Sequence, residues 1–147
     1  SYKMLHLPDG LSQDSLHMLM TCEPQIKEIG DLISRTDVLL FGIGTAMRMA
    51  DQRHIADDVR KQLIDNHAVG EALGQYCDIE GKLIYSTNNI GLSLPDVAKV
   101  PNVIAVAGGQ EKASAIIGVM RACRKGILII DEQAAEGMRQ LLQISAL

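Results

Sequence analysis

The stretch Asp37-Val38-Leu39-Leu40-Phe41, followed at once by Gly42-Ile43-Gly44-Thr45, decides the fold of this 147-residue chain. A short run that is apolar on both faces is typical of a central strand in a parallel sheet. Residues 103–107 and residues 127–130 have the same character. Because segments of helical periodicity separate the three runs, we predict an α/β domain with a mostly parallel sheet flanked by helices.

The helices are predicted from their capping signals. Ser12 is the expected N-cap of a helix that extends through Met20, and Asp131 is the expected N-cap of the last helix. Pro24 is expected to begin a second helix, since proline is favoured in the first turn. Further helices are predicted at residues 46–53, 56–65 and 110–124, the last closed by Gly126 in the left-handed conformation.

Shorter strands are predicted outside the three apolar runs. Residues 2–7 are expected to form a strand that stops at the turn cluster Pro8-Asp9-Gly10. Residues 69–78 and 82–87 are expected to form an inserted β-hairpin around Ile79-Glu80-Gly81. The length of the chain suits a single hydrophobic core, so we expect one domain.

The charge balance argues against direct contact with nucleic acid. The chain has 14 Lys and Arg against 18 Asp and Glu, a net charge of −4, whereas nucleic-acid-binding domains carry a basic patch. Three tyrosines and one phenylalanine are too few for a base-stacking surface.

Other classes of protein are disfavoured by missing signals. No apolar run approaches the roughly 20 residues that span a bilayer, and no signal peptide is visible, so we expect no membrane contact. Cys22, Cys77 and Cys123 form no CxxC pair and are expected to be buried thiols in a reducing cytoplasm. The four histidines lack metal-ligand spacing, so neither a metal nor a cofactor is expected.

The first candidate ligand site is the turn Gly42-Ile43-Gly44, because ligands of open α/β sheets bind at the carboxyl ends of the strands. The glycines allow the backbone to approach a ligand closely. The dinucleotide fingerprint requires a third glycine where Met47 stands, so that function is disfavoured. A turn that serves packing alone is the alternative.

The second candidate is Gly108-Gly109 with Lys112, at the start of the helix that follows residues 103–107. Free amides and an ammonium group suit a phosphate, although Lys112 could equally be a solvated surface residue. The third candidate is Glu71, since glutamate is rare inside strands. It could bind sugar hydroxyls or act as a general base, or it could be half-exposed on an edge strand.

The chain resembles the effector-binding domain of SorC-type bacterial transcriptional regulators. The resemblance extends along essentially the whole chain and rests on an ordered series of short motifs, Leu7-Pro-Asp-Gly-Leu-Ser12, Asp37 to Gly44, Val69-Gly-Glu-Ala72, Asn89-Ile-Gly-Leu92, Val106-Ala-Gly-Gly109 with Lys112, and Asp131-Glu-Gln-Ala-Ala135.

This resemblance implies a fold related to sugar-phosphate isomerases and deaminases that serves sensing and not catalysis. The implied effector is a glycolytic phosphosugar such as fructose 1,6-bisphosphate. By motif, Glu71 would bind sugar hydroxyls and Lys112 a phosphate, with Gln52 and Arg53 as further contacts. Gly44 and Gly109 would bring backbone close to the ligand.

The family also has parts that these residues lack, namely a helix-turn-helix domain and an earlier strand with a Gly-Gly-Thr-type phosphate loop. We therefore expect residues 1–147 to be the C-terminal part of the effector domain, with DNA contact made elsewhere. We further expect exposed apolar surface and a homo-oligomer.

Two other functions remain open at this point. One is an enzyme of the same fold, such as a sugar-phosphate isomerase, a deaminase or an acyl-CoA transferase, that uses Glu71. The other is an oligomerisation unit without a ligand. No His or Asp lies beside a Gly-rich strand end as an acid/base partner for Glu71, so the sensor is favoured and no catalytic residue is assigned.

Overall fold

The computed structural model describes residues 2–8 and 10–143. The helices are α1 (Gln13–Cys22), α2 (Pro24–Ser34), α3 (Ala46–Gln52), α4 (Asp57–Asp65), α5 (Ala113–Cys123) and α6 (Glu132–Leu141). The strands are β1 (Val38–Gly42), β2 (Gly44–Thr45), β3 (Gly70–Ala72), β4 (Gln75–Cys77), β5 (Leu83–Ser86), β6 (Asn102–Ala107) and β7 (Ile127–Ile130). Short 3-10 helices occupy Pro95–Lys99 and Gln110–Lys112.

The three apolar runs form a parallel sheet in the order β1-β6-β7. Ile104 of β6 is opposite Leu40 on one side and Ile127 on the other. One face of this sheet shares a hydrophobic core with helices α5 and α6, in which Ile116 and Ala134 are completely buried. The predicted α/β fold with a parallel sheet and flanking helices is therefore confirmed.

The opposite face of the parallel sheet is not covered by any described residue. Its exposed side chains, which we call the bare face, are Val38 (57%), Leu40 (66%), Val106 (42%), Ile127 (64%) and Ile129 (52%). The expectation that these strands are apolar because both faces are buried is therefore wrong within the described residues. Alternation along each strand sends every second side chain to this side, where no described helix packs.

The second sheet is antiparallel, in the order β2-β3-β4-β5. Residues 69–78 form two strands where one was predicted, because Leu73 and Gly74 both have positive φ, 54° and 77°, and turn the chain. The carbonyl of Gly74 accepts hydrogen bonds from the amide and the hydroxyl of Thr87, at 2.8 Å and 3.0 Å. The predicted hairpin exists as β4 and β5.

Most helix ends follow the sequence signals. Ser12 and Asp131 each accept a hydrogen bond from an amide of the first turn, which confirms both N-caps. Pro24 begins α2 as predicted. The assignment of Gly126 as the residue that closes α5 is wrong, since Arg124 has the left-handed conformation there, with φ 56°.

The N-terminal segment differs from its prediction. Residues 2–7 form no strand and pair with neither sheet, although Lys3 forms an ion pair with Glu28 of α2 at 3.0 Å. The predicted turn at residues 8–10 includes Asp9, which lies outside the described residues. Gly10 itself has a positive φ of 83°, as a turn residue can.

The cysteines are partly as expected. Cys77 and Cys123 are buried, whereas Cys22 is exposed on α1, which corrects that prediction. No three His, Cys, Asp or Glu side chains of the described residues are grouped so that they could hold a metal ion. In the same part of the chain, every helix is too short or too polar to cross a membrane.

Candidate functional site

A cleft of about 470 Å³ lies at the carboxyl ends of β1 and β6. The turn between β1 and β2 forms one wall, and helix α3 forms another. The polar and charged lining includes Thr45, Arg48, Gln52, Arg53, Glu71 and Lys112. A larger cavity of about 650 Å³ lies between α1, α2 and residues 86–93, but its lining contains no Lys, Arg, Asp or Glu. The smaller cleft is therefore the better candidate for a charged ligand.

Glu71 is the buried carboxylate of this cleft. It lies on β3 between β2 and β4 and is 3% exposed, so the alternative of a half-exposed edge residue is wrong. Its Oε1 accepts hydrogen bonds from the Gly74 amide at 2.7 Å and from Arg53 Nη2 at 3.3 Å. Burial raises the pKa of Glu71, while the Arg53 charge and the Gly74 amide act in the opposite direction.

The second oxygen of Glu71, Oε2, makes no hydrogen bond to the described residues. It lies 3.9 Å from the point that a Cβ atom on Gly44 would occupy, and that point is only 2.4 Å from Met49 Cγ. Glycine at position 44, which pairs with Glu71 across β2 and β3, thus leaves room in front of the carboxylate. The cleft therefore presents a buried acceptor to any ligand that enters.

Two further buried polar atoms near Glu71 lack partners in the described residues, Arg53 Nε and the Tyr76 hydroxyl. Tyr76 is opposite Glu71 in the β3–β4 register. Burial, followed by the charge of Glu71, raises the pKa of Tyr76 to about 12. Buried polar groups without partners are rare in folded proteins and often mark sites that bind something.

Only part of the phosphate site predicted at residues 108–112 lines the cleft. The side chain of Lys112 lines the cleft and makes no ion pair or hydrogen bond with the described residues. Gly109 is not part of the lining, and its amide donates to both oxygens of Asp131, at 3.1 Å and 2.9 Å. The structure thus brings Gly44, Gln52, Arg53, Glu71 and Lys112 together and leaves Gly109 outside.

One charged lining residue, Arg48, was not identified from the sequence. It lies four residues before Gln52, so the two share a face of α3. With Arg48 counted, the cleft has three cations, Arg48, Arg53 and Lys112, against the single carboxylate of Glu71. The spacing of Arg48, Gln52 and Arg53 in one helix after a strand-end turn was the available signal.

Comparisons with known proteins agree with this geometry. Residues 1–140 match the family described as "Putative sugar-binding domain". The chain is 36% identical over 136 residues to the central glycolytic genes regulator of Bacillus subtilis and 38% identical over 135 residues to that of Priestia megaterium. These matches include 92% of this chain but only 40% and 39% of the two regulators.

Solved structures show the same fold. A SorC family transcriptional regulator from Enterococcus faecalis superposes with a TM-score of 0.84 at 38% identity, with 93% of this chain and 56% of that chain matched. The full-length sorbitol operon regulator SorC from Klebsiella pneumoniae has a TM-score of 0.70 at 22% identity, which matches 87% of this chain and 42% of that chain. This chain is therefore a member of the sugar-binding domain family found in SorC-type transcriptional regulators.

Proposed function

We propose that this chain senses a phosphosugar effector for a bacterial transcriptional regulator. The observation that carries the proposal is the cleft, in which three cationic side chains surround one buried carboxylate although the chain has a net charge of −4. A phosphosugar matches both features, since its hydroxyls can donate to a carboxylate and its phosphate attracts cations. Both of these regulators are named for glycolytic genes, so fructose 1,6-bisphosphate, a glycolytic phosphosugar, is the effector to test first.

Each cleft residue then has a role. Glu71 Oε2 accepts hydrogen bonds from sugar hydroxyls, and Lys112 binds a phosphate group. Arg53 and Gln52 make further contacts from the end of α3, while Gly44 allows the ligand to approach the backbone. The Gly109 amide is held by Asp131, so Gly109 acts through the shape of the turn that precedes Lys112.

Sensing requires that the ligand bind two states of the regulator with different affinity, because only then does it shift their equilibrium. In this proposal the two states differ in assembly and in DNA binding, with DNA contact made by another part of the regulator. The acidic charge of the chain supports that division of roles. Glycolytic phosphosugars and chromosomal DNA meet in the bacterial cytoplasm, where we place the protein.

The lining supports binding and not catalysis. Glu71 is the one carboxylate among the described lining residues, and no histidine accompanies it, whereas an isomerase or deaminase needs a second acid/base group. The raised pKa of Glu71 is the feature that favours an enzyme. Turnover of a sugar phosphate that is abolished by Glu71→Gln would establish that alternative.

The bare face supports the proposal that the chain forms homo-oligomers. Five large aliphatic side chains of three adjacent strands are exposed on one side of the sheet, and contiguous apolar surface of this kind favours association. A second copy presents the same uncharged surface.

Thermal unfolding with added ligand tests the sensing proposal. Fructose 1,6-bisphosphate at 100 times its dissociation constant should raise the free energy of unfolding by about 2.7 kcal/mol. Lys112→Ala should weaken binding of the bisphosphate far more than binding of free fructose. Lys27→Ala, on the exposed surface of α2, is the matched control and should change neither.

Two results would contradict the proposal at different levels. If no phosphosugar changes the unfolding temperature of the chain or of the full-length regulator that contains it, the sensing function is wrong. If Lys112→Ala weakens the phosphorylated and the free sugar equally, the cleft binds sugar but Lys112 does not bind its phosphate.

A further inference from the structure

Tyr76 has a hydroxyl that neither the fold nor the proposed ligand contacts explain. Its side chain is completely buried on β4, in a small core that also contains Ala46 and Ala50 of α3. The hydroxyl has no hydrogen-bond partner among the described residues. Burying a hydroxyl without a partner is unfavourable, and a phenylalanine would fill the same space without that cost. Packing alone therefore does not account for a tyrosine at this position.

The strand register places Tyr76 beside the buried carboxylate of the cleft. Tyr76 is opposite Glu71 in the β3–β4 pair, and Glu71 is opposite Gly44 in the β2–β3 pair. Residues directly opposite each other in antiparallel strands share one face of the sheet. Burial raises the pKa of Tyr76 to about 12, and the charges of Glu71 and Arg53 act on it in opposite directions. The Tyr76 hydroxyl thus belongs to the same polar group as the Arg53–Glu71 ion pair.

The hydrogen bonding of that ion pair is also incomplete. Arg53 Nη2 is 3.3 Å from Glu71 Oε1, whereas charge-assisted bonds of this kind are typically about 2.7–2.9 Å long. Arg53 Nε is buried and, like the Tyr76 hydroxyl, has no partner in the part of the chain that the structure describes. The two atoms are complementary, because Nε–H can only donate while the hydroxyl oxygen can accept. The hydroxyl then still has its own proton to donate to a carboxylate.

Tyr76 acts on a ligand through its neighbours, because Arg53 and Glu71 line the cleft and Tyr76 does not. Hydrogen bonds at functional sites are often long in the free protein and shorten only in the complex. We propose that Tyr76 is a positioning residue, whose hydroxyl accepts from Arg53 Nε and donates to Glu71 when a sugar occupies the cleft. This contact holds the carboxylate toward the sugar hydroxyls. The inference rests on the proposed function, since it concerns how Glu71 recognises the sugar.

The test compares two substitutions that each remove one tyrosine hydroxyl, Tyr76→Phe and Tyr85→Phe. Tyr85 is the matched control, because it is opposite Tyr76 on β5, with the ring centroids 6.0 Å apart, and is only half-buried. Calorimetric titration with fructose 1,6-bisphosphate measures the affinity, and urea denaturation without ligand measures the stability. Both are measured for the chain and for the full-length regulator that contains it.

Tyr76→Phe should lower the affinity about tenfold, the effect of losing one hydrogen bond in the complex. The urea midpoint should stay unchanged or rise, since the described residues offer the hydroxyl no hydrogen bond that the substitution could remove. A purely structural role would instead move stability and affinity together. Tyr85→Phe should change neither quantity.

The outcomes distinguish this inference from the proposed function. If the wild type binds the bisphosphate and Tyr76→Phe binds it equally well, the positioning role is wrong while the sensing function stands. If Tyr76→Phe lowers the urea midpoint together with the affinity, or if Tyr85→Phe weakens binding as much, the role is not specific to the Tyr76 hydroxyl and the inference is also wrong. If neither the wild-type chain nor the regulator binds the bisphosphate or any other phosphosugar, the proposed function fails and the positioning role fails with it.

Discussion

The two sheets of this molecule differ in a way that their composition does not predict: the more apolar sheet exposes aliphatic side chains, and the more polar sheet is buried. The strands of the parallel sheet are rich in Val, Leu and Ile, yet β1 and β7 expose alternate aliphatic side chains. The central strands of the antiparallel sheet, β3 and β4, are buried at every position although they contain Glu71 and Gln75. Both sheets line the cleft, and its buried polar residue, Glu71, comes from the antiparallel one.

This contrast distinguishes the polar cleft, which we propose binds a ligand, from the apolar bare face, which we propose binds a second copy. Burying a carboxylate is costly unless it has partners, and the incomplete set of partners of Glu71 is why we propose that it meets an incoming ligand. Leaving aliphatic side chains in water is also unfavourable, which is why we propose association through the bare face. Each of the following predictions changes one side of the contrast and leaves the other intact.

The largest difference is expected between Tyr76 and Leu40. Tyr76→Ala removes a completely buried ring from β4 and should lower the free energy of unfolding by about 3–5 kcal/mol. Leu40→Ala on the bare face should lower it by less than about 0.5 kcal/mol. Urea denaturation at low protein concentration measures both, and equal losses would show that the bare face is covered in the dilute chain.

The ion pair of the cleft should matter more than one on the surface. Arg53→Met leaves the buried Glu71 carboxylate without its cation, which should cost about 1–3 kcal/mol. Arg60→Met breaks the exposed pair with Asp51 and should cost less than about 1 kcal/mol. Similar costs in denaturant titrations would mean that Glu71 is well solvated and would remove the physical basis of the site.

A smaller effect is expected in the pH dependence of stability. Burial raises the pKa of Glu71 in the folded state, so the folded chain holds this proton more tightly than the unfolded chain does. The stability contribution is therefore full below the ordinary carboxyl pKa and is lost as the pH rises through the raised value.

The variant Glu71→Gln lacks this titration and serves as the reference. The unfolding temperature of the wild type should fall relative to that of Glu71→Gln as the pH rises above the ordinary carboxyl pKa of about 4. A difference that stays constant as the pH rises, or that changes in the other direction, would contradict the raised pKa.

The smallest effect on stability is expected from charges on the bare face. Leu40→Lys should change the free energy of unfolding by less than about 0.5 kcal/mol and yet abolish self-association, measured by sedimentation velocity. Ile64→Lys, on α4 at a comparable exposure of 54%, is the control and should leave association unchanged. Association that survives Leu40→Lys would assign the oligomer interface to another surface.

The predictable parts of this fold are those that local signals determine. Neighbouring residues determine the N-caps at Ser12 and Asp131 and the strand positions of the three apolar runs, and these were predicted correctly. Burial of the strands on both faces was predicted wrongly, because it depends on what packs against the sheet. The turn at Leu73 and Gly74 was missed because a bulky Leu at positive φ is rare. Contacts of Gly74 with the later Thr87 accompany that turn.

Part of the candidate site could also be predicted from local sequence signals. Gly44, Glu71 and Lys112 belong to short motifs beside strand ends, where the general rule places ligands. Arg48 belongs to no motif, and only the three-dimensional fold shows that it lines the cleft. Gly109 has the expected local sequence, but its amide donates to Asp131, 22 residues away, and it does not line the cleft.

The Gly74 amide is the most direct reporter of the central claim, that the cleft around Glu71 binds a phosphosugar, because it donates to Glu71 Oε1. In a ¹H–¹⁵N correlation titration of the chain with fructose 1,6-bisphosphate, the Gly74 resonance should move in a saturable manner. The resonances of Gly30 and Gly91, which line the larger uncharged cavity, should stay in place. A Gly74 resonance that does not move while those of Gly30 and Gly91 do would contradict the claim and place the ligand in the other cavity.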